Sequence, residues 1–331
     1  MRIGLRRREF IAGLGGAVAW PLAARAQQQL PVIGFLSSAS VSASATAMPT
    51  AFRKGLSQKG FVPGQNVIIE TRQAEGHYEM LAALAKDLIR IPVKVIVAAG
   101  GAVSARAAIE ATKTIPVLFI AGFDPVKLGF VSSFNRPGGN ATGVSIYTTE
   151  LLAKRLQLLR ELVPRISRVA LLINGDNAGS EIEVEDMMMV AEAAGLGLIP
   201  VYASAAFGLE AAFSTAVAEQ ANALVVSADP FLTTQRKSIV TLAARHALPA
   251  VYPWREYVES GGLMSYGPIL MDAYYQNGVY AGRILQGERA GDLPVQMPLK
   301  FELGINLRAA KALNLTVPRI TLLRADYLIE K

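Results

Sequence analysis

Residues 93–120 read VKVIVAAGGAVSARAAIEATKTIPVLFI, and the fold is decided in this stretch. Positions 93–98 form a short, valine-rich apolar run, with the length and composition of a strand buried on both faces. Gly100 and Gly101 interrupt it, an alanine-rich helical stretch follows to Ala111, and positions 116–120 form a second apolar run entered through a proline. Strand, glycine turn, helix and strand make a βαβ unit, which requires parallel strands. Working outward, 31–36 (PVIGFL) and 66–70 (NVIIE) are predicted strands. Helices are predicted over 47–59, with Phe52 and Leu56 on one face and Gly60 as the stop, and over 78–89. The N-terminal part is therefore an open parallel sheet with helices on both faces. After Gly138, Gly139 and Asn140 the same grammar restarts. Helices are expected over 150–163, 181–194, 209–220 and 236–246, and strands over 168–173, 196–202, 223–226 and through Ala250 and Val251. A helix of about eighteen residues from Pro268, an extended stretch over 293–298, a strand over 301–306 and a short helix over 307–313 precede a tail. The two α/β halves share architecture without a residue-level repeat.

The 331 residues suffice for two domains, and 52% hydrophobic against 18% charged composition excludes a disordered chain. Absence of cysteine removes disulfides, thiol nucleophiles and Cys-based metal centres. Two histidines, His77 and His246, lie far apart, and the chain carries no Gly-x-Ser-x-Gly elbow, no His-Glu-x-x-His and no phosphate loop. No enzyme activity, cofactor or metal is expected.

The first 26 residues read as an export signal: arginines at 2, 6, 7 and 8, an uncharged stretch over 11–24, and Ala24-Arg25-Ala26 before Gln27 as a cleavage signature. Arg7 and Arg8, followed by Phe10 and Ile11, resemble the twin-arginine motif. Removing the leader's five arginines and one glutamate leaves 28 basic and 25 acidic side chains, so the formal charge of +7 is mostly address. No basic stripe interleaved with aromatics remains, so nucleic acid is not an expected partner. No later apolar run has the length of a membrane span, so the mature protein is not expected to be embedded.

In open α/β sheets ligands lie beyond the carboxyl ends of the strands. That rule selects Ser37 and Ser38 after the first strand, and Gly100, Gly101 and Ala102 after the third. There, glycines expose backbone N–H groups at a helix start, which favours an anion such as a carboxylate; alternatively they simply make a tight turn. Asp124 follows the fourth strand, and Asn174, Asp176 and Asp229 follow strands of the second half. Each either meets a ligand or caps its own turn.

The stretches TKTIPVLF (112–119), DPVKLGFVSSFNRPGGNATGVS (124–145), ELLAKRLQLLRELVP (150–164), ARHALPAVYPWREYVESGGLMSYGP (244–268) and LPVQMPLKFELGINLRAAKALNLTVP (293–318) carry a resemblance. The chain resembles the ABC-transporter substrate-binding proteins that include bacterial tryptophan/tyrosine-binding lipoproteins. The resemblance implies a two-lobe periplasmic-binding-protein fold, each lobe a doubly wound, mostly parallel sheet, with a ligand cleft between lobes. It implies crossovers near Gly143 to Tyr147 and Met264 to Gly267. One lobe is then 27–145 plus about 267–290. The other is 146–266 plus about 291–331, with the tail's place open. It also implies a periplasmic monomer, cleaved near Ala26 and Gln27, that hands a small organic ligand to an inner-membrane permease; a kinase or chemoreceptor is the alternative partner. Tyr147 and Tyr266 flank the crossovers, where they stack on a flat ligand or pack the hinge. Many relatives carry Asp after Tyr-Gly-Pro, where this chain has Ile269. Either a contact to a ligand ammonium is lost, or only a helix cap is.

Overall fold

The computed structural model describes residues 30–39, 47–146, 151–177 and 179–330. The N-terminal part runs β1 (Val32–Ser37), α1 (Ala47–Gln58), β2 (Ile68–Gln73), α2 (Leu81–Ile89), β3 (Val93–Ala99), α3 (Gly101–Ala111), β4 (Val117–Ala121) and β5 (Ala141–Ser145). All five strands are parallel, in the order β2-β1-β3-β4-β5. Strand periodicity sorts the side chains onto two faces. Ile33, Phe35, Val95, Val97, Leu118 and Ile120 point toward Phe52 and Leu56 of α1. Leu36, Ile96, Ala98, Val117 and Phe119 point toward Leu81, Ala85 and Leu88 of α2 and Ala102, Ala105 and Ala108 of α3. The alanines let α3 lie close on the sheet.

Then come α4 (Leu152–Leu162), β6 (Arg168–Ile173), α5 (Ser180–Ala193), β7 (Gly197–Tyr202), α6 (Gly208–Ala218), β8 (Ala223–Val226), α7 (Pro230–Thr234), α8 (Arg236–Arg245), β9 (Ala250–Tyr252), α9 (Arg255–Glu259) and β10 (Met264–Pro268). The chain continues through α10 (Leu270–Leu285), β11 (Phe301–Asn306), α11 (Leu307–Ala312), α12 (Arg319–Arg324) and β12 (Tyr327–Ile329). The second sheet has the order β12-β11-β10-β9-β8-β6-β7; only the β10–β11 pair is antiparallel. Pro31–Lys331 packs as one compact unit.

The helix α10 returns to the first sheet and lies along α1. Glycines make this approach possible: a Cβ on Gly55 would clash with the carbonyl oxygen of Tyr275, and one on Gly278 with that of Phe52. Residues 293–296 then follow the edge of β5. Thr142 Oγ1 donates to the Leu293 carbonyl (2.6 Å), Gln296 N–H to Gly143 (2.9 Å), and Ser145 N–H to Gln296 (2.9 Å). The chain thus passes between the sheets three times: after β5, after β10 and after Gln296. The last passage comes a few residues beyond the expected position near 291, because the hydrogen bonds to β5 hold 293–296 on the first sheet.

Candidate functional site

Both sheets have the same winding around their first strand: β2-β1-β3 in one and β7-β6-β8 in the other. At β1/β3 and β6/β8 the connections leave to opposite faces, which opens a crevice at the carboxyl ends of those strands. The structure brings the two crevices face to face.

On the first sheet, Ser38 is buried; its N–H donates to Ala99 (3.3 Å) and its Oγ to the Gly100 carbonyl (2.6 Å). Gly100 and Gly101 both have φ of 84°, the left-handed region, and a Cβ on Gly100 would collide with Ser38 Oγ. Glycine at 100 is therefore demanded by the turn itself. The Ser37 hydroxyl closes a local turn with Ala39, and Ala102 packs into the α2/α3 core. Asp124 Oδ1 accepts from the N–H groups of Val126 (2.8 Å) and Lys127 (3.3 Å), which is capping.

On the second sheet, Asp229 is 1% exposed and caps α7. Its Oδ1 accepts from Asn174 Nδ2 (3.2 Å) and Leu232 N–H (3.1 Å). Its Oδ2 accepts from Asn177 Nδ2 (2.9 Å) and from the hydroxyl of Tyr78 (3.0 Å). Tyr78 comes from the other sheet, in the turn before α2, and its oxygen accepts in return from Phe231 N–H (3.2 Å). Burial pushes the Asp229 carboxyl up, and the hydrogen bonds pull it back, Asn177's most strongly. Burial, then the charge of Asp229, holds the Tyr78 phenol well above its usual range, so it stays a donor. Asp176 is exposed, and its N–H donates to Asn174 Oδ1 (3.0 Å). Tyr266 stacks on Phe301 (6.2 Å between centroids), and its carbonyl accepts from Arg155 Nε (2.8 Å). Tyr147 lies outside the described residues.

Two further contacts join the crevices. The ring of Phe123, after β4, stands against Gly179 at the start of α5 so closely that a Cβ there would overlap it. Pro230 lies 3.3 Å from where a Cβ on Gly101 would stand. Behind Asp229, Ser227 Oγ donates to Glu183 Oε2 (2.5 Å). Burial raises the Glu183 carboxyl to about 7, against the opposing pull of Ser227 and Arg155. Burial lowers fully enclosed Arg155 to about 10, opposed by Glu183 and Tyr266.

The strand-end rule thus finds Ser38, Gly100, Gly101, Asn174 and Asp229 at the paired crevices, and it misses Tyr78, Phe123, Asn177 and Gly179. Tyr78 and Asn177 lie further beyond the ends of β2 and β6 than the residues the rule selects beyond their own strands. The set offers hydroxyls, amides, a carboxylate and aromatic rings. The His77 side chain is exposed and pairs with Glu79, and His246 stacks on Phe213. Among the described residues no cluster of His, Asp and Glu has metal-holding geometry, and no helix is long and apolar enough to cross a membrane.

The fold recurs in known proteins. A tyrosine-binding protein of Clostridioides difficile is 28% identical over 264 residues, covering 80% of this chain and 75% of that protein. The crystal structure of an ABC domain in complex with L-Trp from Streptococcus pneumonia superposes with a TM-score of 0.81 at 24% identity, over 91% of this chain and 100% of that one. A conserved domain protein from Vibrio cholerae gives 0.83 at 24% identity, with the same coverage. Such structural likeness places the fold among the type I-like periplasmic binding proteins. The family model described as ABC transporter substrate binding protein matches residues 9–329, and the chain belongs to that family.

Proposed function

We propose that the protein captures an amino acid with an aromatic side chain, or a closely related carboxylate, between the crevices of its two sheets. It works in the periplasm as a monomer, without catalysis, and delivers its ligand to an inner-membrane ABC permease. The observation that carries this reading is the apposition of two strand-end crevices, with Ser38, Gly100 and Gly101 on one side and the Asn174–Asn177–Asp229 cluster on the other. The ligand class follows from the tyrosine-binding relative and the neighbour in complex with L-Trp. Residues 31–145 with 269–296, and 146–268 with 297–330, act as the two lobes, and the three passages between sheets act as the hinge.

Ile269 supports retention of the amino group. It is the N-cap residue of α10, makes no side-chain cap, and lines a cavity of about 260 Å³ with Val144, Ile146, Asp272 and Met297. None of Ser38, Gly100 or Asp229 lines that cavity. An Asp at this position in relatives is thereby read as a helix cap. The test is a thermal-shift series with tryptophan, tyrosine and their deaminated acids. A ligand at 100 times its Kd adds about 2.7 kcal/mol of stability, a rise of several degrees. The larger shifts are expected with the amino acids; larger shifts with the deaminated acids would mean that the amino group makes no contact. A flat response to all four compounds overturns the ligand class.

A further inference from the structure

We propose that Tyr78 is a positioning residue that latches the cleft shut by engaging Asp229 and the Phe231 backbone across it, and that Asp229 serves closure rather than ligand contact. The inference rests on the ligand lying between the two sheets, but its test does not.

The stoichiometry of Asp229 argues for it. A carboxylate offers about four acceptor positions. Three are occupied from its own side of the cleft, by Asn174, Asn177 and Leu232. The fourth is occupied by Tyr78, 151 residues away in sequence. Tyr78 is a donor to the carboxylate and an acceptor from Phe231 N–H at once, so one hydroxyl satisfies two polar groups of the facing sheet. With the cleft open, water serves both groups. With it closed, only Tyr78 reaches them. Removing the hydroxyl therefore leaves a charged oxygen and an N–H bare in the closed form alone, and the penalty falls on closure, not on folding. The contact between Phe123 and Gly179 and the contact between Gly101 and Pro230 bring the same two surfaces together apolarly, and they set the spacing at which the latch closes. Nothing in the latch belongs to a ligand, so closure has a part that the protein supplies itself.

The experiment reads lobe separation directly. The chain has no cysteine, so spin labels can be placed by Lys127→Cys and Phe207→Cys, at exposed positions, one beside each sheet. Distance distributions are then recorded with and without L-tryptophan, for the labelled parent and for Tyr78→Phe. Without L-tryptophan, Tyr78→Phe is expected to lower the ratio of short to long distances by about tenfold or more, the effect of a hydrogen bond to a charged group. The apparent Kd for L-tryptophan weakens in the same direction, because fewer molecules occupy the binding-competent state. The melting temperature without ligand stays near that of the parent, which a merely structural tyrosine would not allow. Adding Asp229→Asn to Tyr78→Phe opens the cleft no further. Identical distance distributions in parent and Tyr78→Phe overturn the latch, even if L-tryptophan binds. An opened Tyr78→Phe in a protein that ignores L-tryptophan overturns the ligand class and leaves the latch standing.

Discussion

Glu183 is an ionisable side chain enclosed behind the paired crevices, and it makes the protein's stability depend on pH in a definite direction. Folding raises the Glu183 carboxyl from 4.5 to about 7, so the folded protein keeps a proton that the unfolded chain has already released. The contribution is complete below about pH 4.5 and is lost as the pH rises through about 7, an effect on the order of 3 kcal/mol. Glu183→Gln keeps an acceptor for Ser227 and removes the titration. Urea midpoints at about pH 5 and about pH 8 should therefore differ less in Glu183→Gln than in the parent; an unchanged difference would refute the assignment. Legibility differs by residue for the same physical reason throughout. Gly100 is readable because a local constraint, the left-handed turn between β3 and α3, already asks for glycine. Tyr78 is not, because its meaning lies in Asp229, on another sheet, and no local pattern encodes a partner 151 positions away.

At the scale of elements, the contact between α1 and α10 depends on a missing methyl group. Helix propensity alone ranks alanine about 1 kcal/mol better than glycine inside a helix, so it forecasts a gain for Gly278→Ala. The packing forecasts the reverse, since the methyl would overlap the Phe52 carbonyl, a rigid backbone atom. Overpacking of this kind costs about 1–3 kcal/mol or more, and a lowered midpoint in urea denaturation is the expected result. Capping gives a second case. Asn306 Oδ1 accepts from the N–H groups of Arg308 (3.0 Å) and Ala309 (3.0 Å), so Asn306→Ala should lower stability by about 1 kcal/mol, measurable in the same way. The long elements were legible from apolar runs bounded by Gly and Pro. β5 was not: ATGVS, over 141–145, carries little apolar character, and it is a strand because β4 and residues 293–296 supply hydrogen bonds on its two sides. β12, with only three residues, is likewise fixed by its pairing with β11.

At the scale of the whole molecule, neither sheet together with its covering helices is continuous in sequence. The first takes α10 and residues 293–296 from far along the chain, after most of the second has been laid down. A fragment of residues 31–145 leaves the apolar face of α1 without α10, and Ile120 and Val144 without Tyr274 and Tyr280. It is expected to be molten or insoluble. The same fragment joined through a short linker to residues 270–296 is expected to give a cooperative melt; equal behaviour of the two fragments would show that α10 is dispensable. The interleaving also orders events during synthesis. A ribosome that has released residues up to about 265 has made every strand of the first sheet and still lacks the helix that covers one of its faces. The nascent first sheet therefore waits, partly uncovered, until residues 270–296 have been made, by which point most strands of the second sheet also exist.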